Sequence, residues 1–376
     1  MKITDIKSYI VSANNDNWVY IKVYTDENIT GVGECSLETR ELTVVQAVEE
    51  LKRYVLGRDP FQIEQIFYTC YRDEYWGACP VLISALSALD CALWDIKGKA
   101  FNMPVYQLLG GKFREKIRVY ANRWFIGAKT TAELVKKAEE TAKKGYTALK
   151  WDPFVFAEHT ISAKDLRAVV EQVKAVRQAV GQDTDILIEG HGRFNVYTAL
   201  NVANELAPFK PMFFEEPVLP ENLDALAEVR DKSPIPIASG ERWYTKYDFR
   251  AAFSKKAVDI AQPDLRIAGG LTEGKKIAAL AETEFIPIAP HNIHGKVGTA
   301  MSLHLAASIP NALILEYSVE EVPCMETLFD RQYKPVDGYL AIDDRPGLGI
   351  DFDEKVALQY PYKTISMVQT LFSNNF

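Results

Sequence analysis

Between about residue 119 and residue 320, short apolar runs alternate with longer amphipathic segments. Parallel strands need a crossover between them, usually a helix, and the amphipathic segments have helical spacing. The alternation therefore predicts a parallel sheet covered by helices. The apolar runs are Ile117–Ala121, Thr147–Trp151, Asp185–Glu189, Met212–Glu216, Ile235–Ser239, Val258–Gln262, Phe285–Ala289 and Leu313–Tyr317. Eight strands is the number that closes a (β/α)8 barrel.

Helical patterns fill the spaces between these runs. The predicted helices are Thr131–Lys144, Ala163–Val180, Val196–Leu206, Leu223–Asp231, Lys246–Lys255, Leu271–Thr283 and Gly298–Ala307. Residues 1 to about 118 have a different pattern, in which strands come first and helices follow. The strands are predicted at Ile3–Ser12, Trp18–Thr25 and Ile29–Cys35, and the helices at Thr43–Leu56, Pro60–Tyr71 and Val81–Lys99. The C-terminal region has short strands and turns at about 337–342 and 346–350.

Composition excludes several classes of protein. Lys plus Arg total 43 and Asp plus Glu total 51, so the net charge of −8 gives no support for a DNA-binding face. The five cysteines are scattered without a Cys-x-x-Cys pair, which argues for a reducing compartment and against a disulfide scaffold. The N-terminus lacks an apolar signal core, and Val81–Ile96, the most apolar stretch, is interrupted by two aspartates. We therefore expect a cytoplasmic protein without a nucleic-acid or membrane partner.

A polar residue stands at the C-terminal end of each predicted strand, which is the end where barrel enzymes carry their chemistry. These residues are Asn122, Lys150, Glu189, Glu215, Glu241, Asp264, His291 and Glu316. From Glu189 onward their spacings are 26, 26, 23, 27 and 25 residues, which matches one strand–helix unit each time. A single charged residue after a strand is often part of a solvated loop. Seven ionisable residues in this pattern are better explained by a site at one mouth of the barrel.

Three of these residues are glutamates on consecutive predicted strands, namely Glu189, Glu215 and Glu241. The first two follow apolar runs, so their carboxylates are desolvated unless a cation pairs with them. Three neighbouring carboxylates also repel one another without a counter-charge. Oxygen ligands without cysteine suit a hard cation, Mg²⁺ first and Mn²⁺ second. The pattern therefore predicts a divalent metal site.

Asp264 and His291 end adjacent predicted strands. An aspartate that accepts a hydrogen bond from one imidazole nitrogen fixes the tautomer and raises the basicity of the other nitrogen, which makes His291 a candidate general base. A histidine in a surface loop is the alternative. His191 lies two residues after Glu189, and strand periodicity sends both to the same side. We interpret the other histidines as loop or helix-face residues; they are His159, His294 and His304.

Lys150 and Asp152 share a side of the second predicted barrel strand. Lys150 could hold a substrate carboxylate or act as a second base, and an ion pair with one of the three glutamates is an equal alternative. Arg123 and Trp124 could contact a substrate, or they could belong to a packed loop. The sequence leaves these alternatives open.

Several motifs resemble those of the enolase superfamily, in the mandelate racemase subgroup and its acid-sugar dehydratases. The resemblance covers essentially the whole chain. The motifs are Ser87–Asp90 with Leu93–Ile96, Pro104 with Leu108–Gly111, Gln262–Asp264 with Gly269–Gly270, and Asp344–Gly349. It implies a modified (β/α)8 (TIM) barrel with an α+β capping domain built from both termini. The implied divisions are 1–118 for the cap, 119–325 for the barrel, and 326–376 for a segment that returns to the cap.

The resemblance also implies roles for residues. Glu189, Glu215 and Glu241 match the Mg²⁺ ligands, Asp264 and His291 the catalytic dyad, and Glu316 an acid that helps to bind substrate. His191 matches an additional acid of galactonate- and gluconate-type dehydratases. Lys150 is also a candidate catalytic residue, from its place at the end of the second barrel strand rather than from the resemblance. Further substrate contacts are expected from Asp152, Arg123, Asn195 and Trp18. The chain departs from most relatives at Glu189, where they have Asp, and at Asp152, where many have a second lysine that acts as a base.

The expected reaction is the Mg²⁺-dependent dehydration of an aldonate such as D-gluconate or D-galactonate to a 2-keto-3-deoxy acid, by a homo-oligomer. His291 would remove the C2 proton, and His191 would protonate the departing 3-hydroxyl. A racemase or epimerase that uses Lys150 opposite His291 is an alternative, which C2 exchange without loss of water would favour. A dehydratase for another acid sugar is a second alternative. A non-catalytic, metal-stabilised binding protein is a third, against which the intact base, acid and metal set argues.

Overall fold

The computed structural model describes residues 1–14, 16–72, 79–154, 157–293, 295–342 and 344–365. Its N-terminal part is an antiparallel sheet with strands in sequence order and helices packed on it. The strands are β1 (Ile3–Ala13), β2 (Asp16–Thr25) and β3 (Thr30–Glu34). The helices are α1 (Glu41–Val55), α2 (Ile63–Arg72), α3 (Pro80–Ala100) and α4 (Val105–Leu108). The predicted order of strands followed by helices is confirmed.

Helix α3 is buried around most of its circumference, as the strongly apolar character of its sequence predicts, and Asp90 and Asp95 are buried with it. It lies against β3 at Gly31 and Gly33, where a side chain would overlap the carbonyl oxygens of Ala92 and Ala88. Glycine is therefore needed at these two positions for the close approach of the two backbones.

Replacing Gly33 by alanine is expected to lower the free energy of unfolding by about 1–3 kcal/mol, because the added methyl group must displace the backbone of α3. Urea denaturation followed by circular dichroism measures this loss. Thr30→Ala, on the same strand, adds no atoms and serves as the control. Equal stability of the two variants would contradict the close approach.

The second part of the chain is a parallel sheet that curls into a barrel, with strand order β10-β4-β5-β6-β7-β8-β9. Its strands are β4 (Lys116–Asn122), β5 (Ala148–Trp151), β6 (Asp185–Glu189), β7 (Phe214–Glu215), β8 (Ile237–Ser239), β9 (Ile260–Ala261) and β10 (Leu315–Ser318). The predicted strand Phe285–Ala289 is reduced to a parallel bridge at Ile288, which pairs with Ala261 on one side and Ala312 on the other. Prolines at 287 and 290 lack the N–H that a longer ladder requires. The bridge nevertheless closes the ring.

Helices surround this barrel. They are α5 (Thr131–Lys143), α6 (Ala163–Val180), α7 (Val196–Leu206), α8 (Leu223–Lys232), α9 (Thr245–Ser254), α10 (Gly270–Thr283) and α11 (Lys296–Ser308). Side chains of α3 reach the start of α10: Ser87 Oγ accepts from the N–H of Gly269 at 2.9 Å, and Asp90 Oδ2 from that of Thr272 at 3.0 Å. The first N–H groups of a helix have no partner within the helix, so side chains of α3 can satisfy those of α10. These contacts join the N-terminal part of the chain to the barrel.

The C-terminal region contacts both parts of the fold. Its elements are α12 (Pro323–Leu328), β11 (Tyr339–Ala341) and α13 (Glu354–Ala357). Strand β11 pairs antiparallel with β4, and the carbonyl of Tyr360 accepts a hydrogen bond of 2.9 Å from the N–H of Ser12 in β1. Of the short strands and turns predicted at about 346–350, the structure has turns and one bridge, from Gly347 to Pro104. None of the helices in the described ranges has the length and apolar character required to cross a membrane.

Candidate active site

Three glutamates meet at the C-terminal ends of neighbouring barrel strands. Glu189 and Glu215 are directly paired in the register of β6 and β7, and Glu241 follows β8 by two residues. One carboxylate oxygen from each lies within 4.8 Å of the others. Glu189 and Glu215 are buried, whereas Glu241 is half-buried. This arrangement of oxygen ligands can hold a divalent cation.

Lys150 lies among carboxylates at the end of β5. Its Nζ is 2.7 Å and 2.8 Å from the two oxygens of Glu215, 2.9 Å from Glu316 and 3.3 Å from Glu189. Of the alternatives left open by the sequence, this is the ion pair, and it extends to three carboxylates. A direct role for Lys150 in catalysis stays a prediction.

The cluster around Lys150 has more negative than positive charge. Burial raises the pKa of Glu215 above its ordinary value, and the charge of Glu189 raises it further, while Lys150 opposes both effects. Lys150 provides one positive charge for the three carboxylates that it contacts. A second positive charge at the glutamate triad is therefore favourable, which is the condition a cation site has to meet.

His291 forms the predicted pair with Asp264. Its Nδ1 lies 2.7 Å from Asp264 Oδ2, and its Nε2 lies 3.3 Å from Glu241 Oε2. An ionised carboxylate can only accept hydrogen bonds, so Nδ1 is the donor and Nε2 is the nitrogen that can take a proton. Burial disfavours the charged imidazole, but the charges of Glu241 and Glu316 outweigh burial and raise the pKa of His291 to about 10.

Arg266 completes the surroundings of Asp264, and sequence reasoning did not identify it. Its Nε donates to Asp264 Oδ1 at 3.0 Å, and its Nη2 contacts Oδ2. Both residues are 1% exposed, so the pair is fully removed from water. Burial alone would raise the pKa of Asp264, but the Arg266 charge and the His291 hydrogen bond outweigh it and hold that pKa well below its usual range.

His191 forms a second pair of the same kind. Its Nδ1 lies 2.6 Å from Asp152 Oδ2, and Arg193 Nη1 donates to the same oxygen at 2.6 Å. Asp152 was predicted as a substrate contact, but the structure places it between His191 and Arg193. Burial lowers the pKa of His191, but the charge of Glu189 and the hydrogen bond to Asp152 outweigh burial and raise it to about 9. The His191 side chain is 36% exposed, so a bound molecule can reach it.

A tight turn sets the direction of His191. Its φ of 48° lies in the left-handed region, which residues other than glycine rarely adopt. The backbone N–H of His191 donates to Glu189 Oε1 at 2.7 Å, so the glutamate side chain supports the turn. Strained backbone of this kind is frequent at functional sites.

Glu316 is fully buried beside His291. Its Oε1 accepts from Asn122 Nδ2 at 2.7 Å, and its Oε2 accepts from the N–H of Asn292 at 2.9 Å. Its Oε2 also lies 3.7 Å from His291 Nε2. Glu316 therefore belongs to the cluster that the strand ends predict, and Asn122 and Asn292 orient it.

Three other predicted substrate contacts have different surroundings in the described part of the chain. Trp18 is 3% exposed and packs in the main hydrophobic core. Arg123 Nη1 pairs with Asp16 at 2.6 Å and Glu320 at 2.7 Å, which agrees with the packed-loop alternative. Asn195 caps α7 by accepting from the N–H of Thr198 at 2.8 Å. Substrate contact by these three residues stays a prediction.

The remaining histidines lie away from this cluster or outside the described residues. His159 is exposed, and His304 lies on α11 with its Nδ1 accepting from the N–H of Tyr106 at 3.1 Å. Burial lowers the pKa of His304 to about 4, so its ring is neutral. His294 lies outside the described residues.

Comparison with known proteins agrees with this geometry. Residues 3–110 match the mandelate racemase / muconate lactonizing enzyme N-terminal domain, and residues 133–356 match the enolase C-terminal domain-like family. The chain belongs to the mandelate racemase group of the enolase superfamily. A crystal structure of a mandelate racemase/muconate lactonizing enzyme-like protein from Roseovarius sp. TM1035 has a TM-score of 0.90 and 33% identity, with 97% of each chain covered.

Two curated relatives of this member of the superfamily are named dehydratases. D-galactonate dehydratase from Xanthomonas oryzae pv. oryzae (strain PXO99A) is 36% identical over 360 residues, which cover 94% of this chain and 93% of the relative. D-gluconate dehydratase from Thermoproteus tenax is 36% identical over 344 residues, which cover 91% of this chain and 69% of the relative.

Proposed function

We propose that this chain is an acid-sugar dehydratase that converts an aldonate, such as D-gluconate or D-galactonate, into a 2-keto-3-deoxy acid. The observation that carries the proposal is the pair of histidines that flank the glutamate triad. His291 contacts Glu241 at one end of the triad, and His191 follows Glu189 at the other. Each Nδ1 is held by an aspartate, of which Asp264 is buried and Asp152 is half-buried. A β-elimination needs one group to take a proton and another to give one, and this arrangement supplies both.

Glu189, Glu215 and Glu241 would hold a divalent cation, Mg²⁺ first and Mn²⁺ second. Their all-oxygen donor set and their close spacing fit such an ion. When bound, it supplies positive charge for the substrate carboxylate and for the negative charge that develops as the C2 proton leaves. A cation held by Glu241 would also favour the neutral form of His291, because the charge of Glu241 is the largest of the effects that raise the pKa of this histidine.

The chain's own residues carry the proton transfers. His291 takes the C2 proton on Nε2, with Asp264 holding the ring in the tautomer that permits this. His191 gives a proton from Nε2 to the departing 3-hydroxyl, with Asp152 holding its Nδ1. Lys150 and Glu316 form an ion pair of 2.9 Å and place opposite charges beside Glu215 of the triad. The enol product then tautomerises to the keto acid. For the assembly, we still expect a homo-oligomer.

The proposal is tested by incubating the protein with a panel of aldonates and aldarates in Mg²⁺ and measuring 2-keto acid formation. We expect at least one aldonate, D-gluconate or D-galactonate, to turn over. Chelation with EDTA should remove the activity, and added Mg²⁺ or Mn²⁺ should restore it, because three carboxylates without their cation repel the anionic substrate.

Two results would contradict this proposal. Absence of turnover with every acid sugar would reject the dehydratase, and full activity after chelation would reject the metal requirement. Formation of the C2 epimer without loss of water would indicate the racemase alternative, in which a second base acts opposite His291.

A further inference from the structure

We propose that Arg266 is a positioning residue for the His291–Asp264 pair and that it acts by linking this pair to the N-terminal sheet. The inference rests on the proposed function, because it gives Arg266 its role through the base of that reaction. Within the described part of the chain, the hydrogen bonds of Arg266 go to Asp264 and to the backbone of Ser36, and none goes to the glutamate triad.

The first part of the link is between Arg266 and Asp264. The backbone N–H and the Nε of Arg266 donate to Asp264 Oδ1 at 2.9 Å and 3.0 Å, and its Nη2 pairs with Oδ2. His291 Nδ1 lies 2.7 Å from that same Oδ2. A carboxylate engaged at both oxygens cannot rotate without breaking contacts, so the planar guanidinium determines where the imidazole of His291 points.

The second part of the link is between Arg266 and the segment after β3. Arg266 Nη1 donates to the carbonyl of Ser36 at 2.9 Å, across 230 residues of sequence. Ser36 is itself held, because its Oγ accepts from the N–H of Val19 at 3.0 Å and donates to Glu34 Oε1 at 3.1 Å. The guanidinium is therefore anchored at one end on the segment that follows β3 and at the other on Asp264.

Glu34 connects the same segment to the chain that follows His291. Its two oxygens accept from the N–H groups of Gly295 at 2.9 Å and Gly298 at 2.8 Å, at the start of α11. A buried carboxylate at a helix N-terminus is favourable there. Residues 34–36 thus support both the ring of His291, through Arg266, and the chain that follows it.

A stabilising role alone explains this arginine poorly. Burying an ion pair costs desolvation energy, and apolar residues of similar volume often give equal or greater stability. What apolar residues cannot supply is the fork of N–H groups that reaches Asp264 and Ser36 at the same time. Lysine keeps the charge but has one nitrogen, so it tests the geometry separately from the charge.

The test compares Arg266→Met and Arg266→Lys in the full-length protein with Mg²⁺, using D-gluconate and D-galactonate. We expect kcat for C2 deuterium exchange to fall about 100-fold in the methionine variant and about tenfold in the lysine variant, with KM unchanged within about threefold. Arg177→Met is the matched control, since Arg177 is a buried arginine that donates to backbone carbonyls outside the site. It should lose stability and keep kcat.

Asp264→Asn tests whether Arg266 acts through the aspartate. In that background, Arg266→Met should change kcat by less than about threefold, because the residue it acts through is already altered. A kcat within about threefold of the wild type in Arg266→Met, or additive losses in the double variant, would overturn the proposal.

Nitrogen NMR of the histidine rings separates this inference from the proposed function. The His291 signal is identified by its absence in His291→Asn, and we expect it to shift or broaden in Arg266→Lys while the His191 signal stays unchanged. An unchanged His291 signal overturns the positioning role whether or not an aldonate turns over. A shifted signal in a protein that converts no aldonate would retain the positioning role and reject the dehydratase.

Discussion

Replacing His291 by asparagine is expected to abolish exchange of the C2 proton and lower dehydration by about 10⁴-fold, the upper range for one acid–base group. The reason is geometric. Asp264 Oδ2 holds Nδ1 at 2.7 Å, which leaves Nε2 to take the proton beside the glutamate triad. Asparagine has comparable bulk near the backbone but presents no basic nitrogen. The measurement is proton NMR of an aldonate in deuterium oxide, with 2-keto acid formation assayed in parallel.

His159→Asn is the matched control, because it makes the same substitution at an exposed histidine outside the cluster. It should retain wild-type exchange and dehydration. Both variants should keep the circular dichroism spectrum of the folded protein. C2 exchange at the wild-type rate in His291→Asn would remove His291 from the role of base.

The barrel could be predicted largely because its elements have local signals. Helices α6 and α7 begin and end where the sequence predicts, since Ser162 and Asn195 accept hydrogen bonds from the first turns and Gly181 follows the end of α6. The predicted strand at 285–289 was too long because proline interrupts the ladder that apolar character alone suggests. Local propensity therefore predicted the strand's position better than its length.

The strand-end residues could be predicted for a related reason. Barrel geometry brings the C-terminal ends of all strands to one mouth, so sequence position alone predicts that Glu189, Glu215 and Glu241 meet. Asp264 and His291 follow from the same rule. Glu189 and Glu215 are the last residues of their strands. Glu241, Asp264 and His291 lie two or three residues beyond the strand or bridge that precedes them, so little of the loop conformation has to be known to place them.

Pairings that involve loops could not be predicted in this way. Asp152 contacts His191, 39 residues later, through a turn whose direction depends on a positive φ. Arg123 pairs with Asp16 and Glu320, which are 107 and 197 residues away in the chain. Arg266 likewise reaches Ser36, 230 residues away in the chain, only because the segment that follows β3 lies against it. Such contacts depend on tertiary packing, and no local pattern encodes them.

Replacing His191 by asparagine is expected to lower dehydration by about 10²–10³-fold while C2 exchange is retained, because the proton that leaves C2 goes to a different histidine. His191 is 36% exposed, and its Nδ1 is held by Asp152 at 2.6 Å, so its Nε2 is the atom that can give a proton to a leaving hydroxyl. The ratio of exchange to 2-keto acid formation, measured on one aldonate, separates the two steps. A rise in that ratio is the expected signature.

Asp152→Asn provides a second variant on the same pair, since it keeps the shape of the side chain and removes its charge. We expect a smaller loss of dehydration than in His191→Asn, because the ring remains but its orientation and charge are less well supported. Full dehydration by His191→Asn would remove His191 from the acid role. Loss of exchange and dehydration to the same extent would instead assign His191 to the first step, together with His291, since a group used only in the second step cannot slow the first.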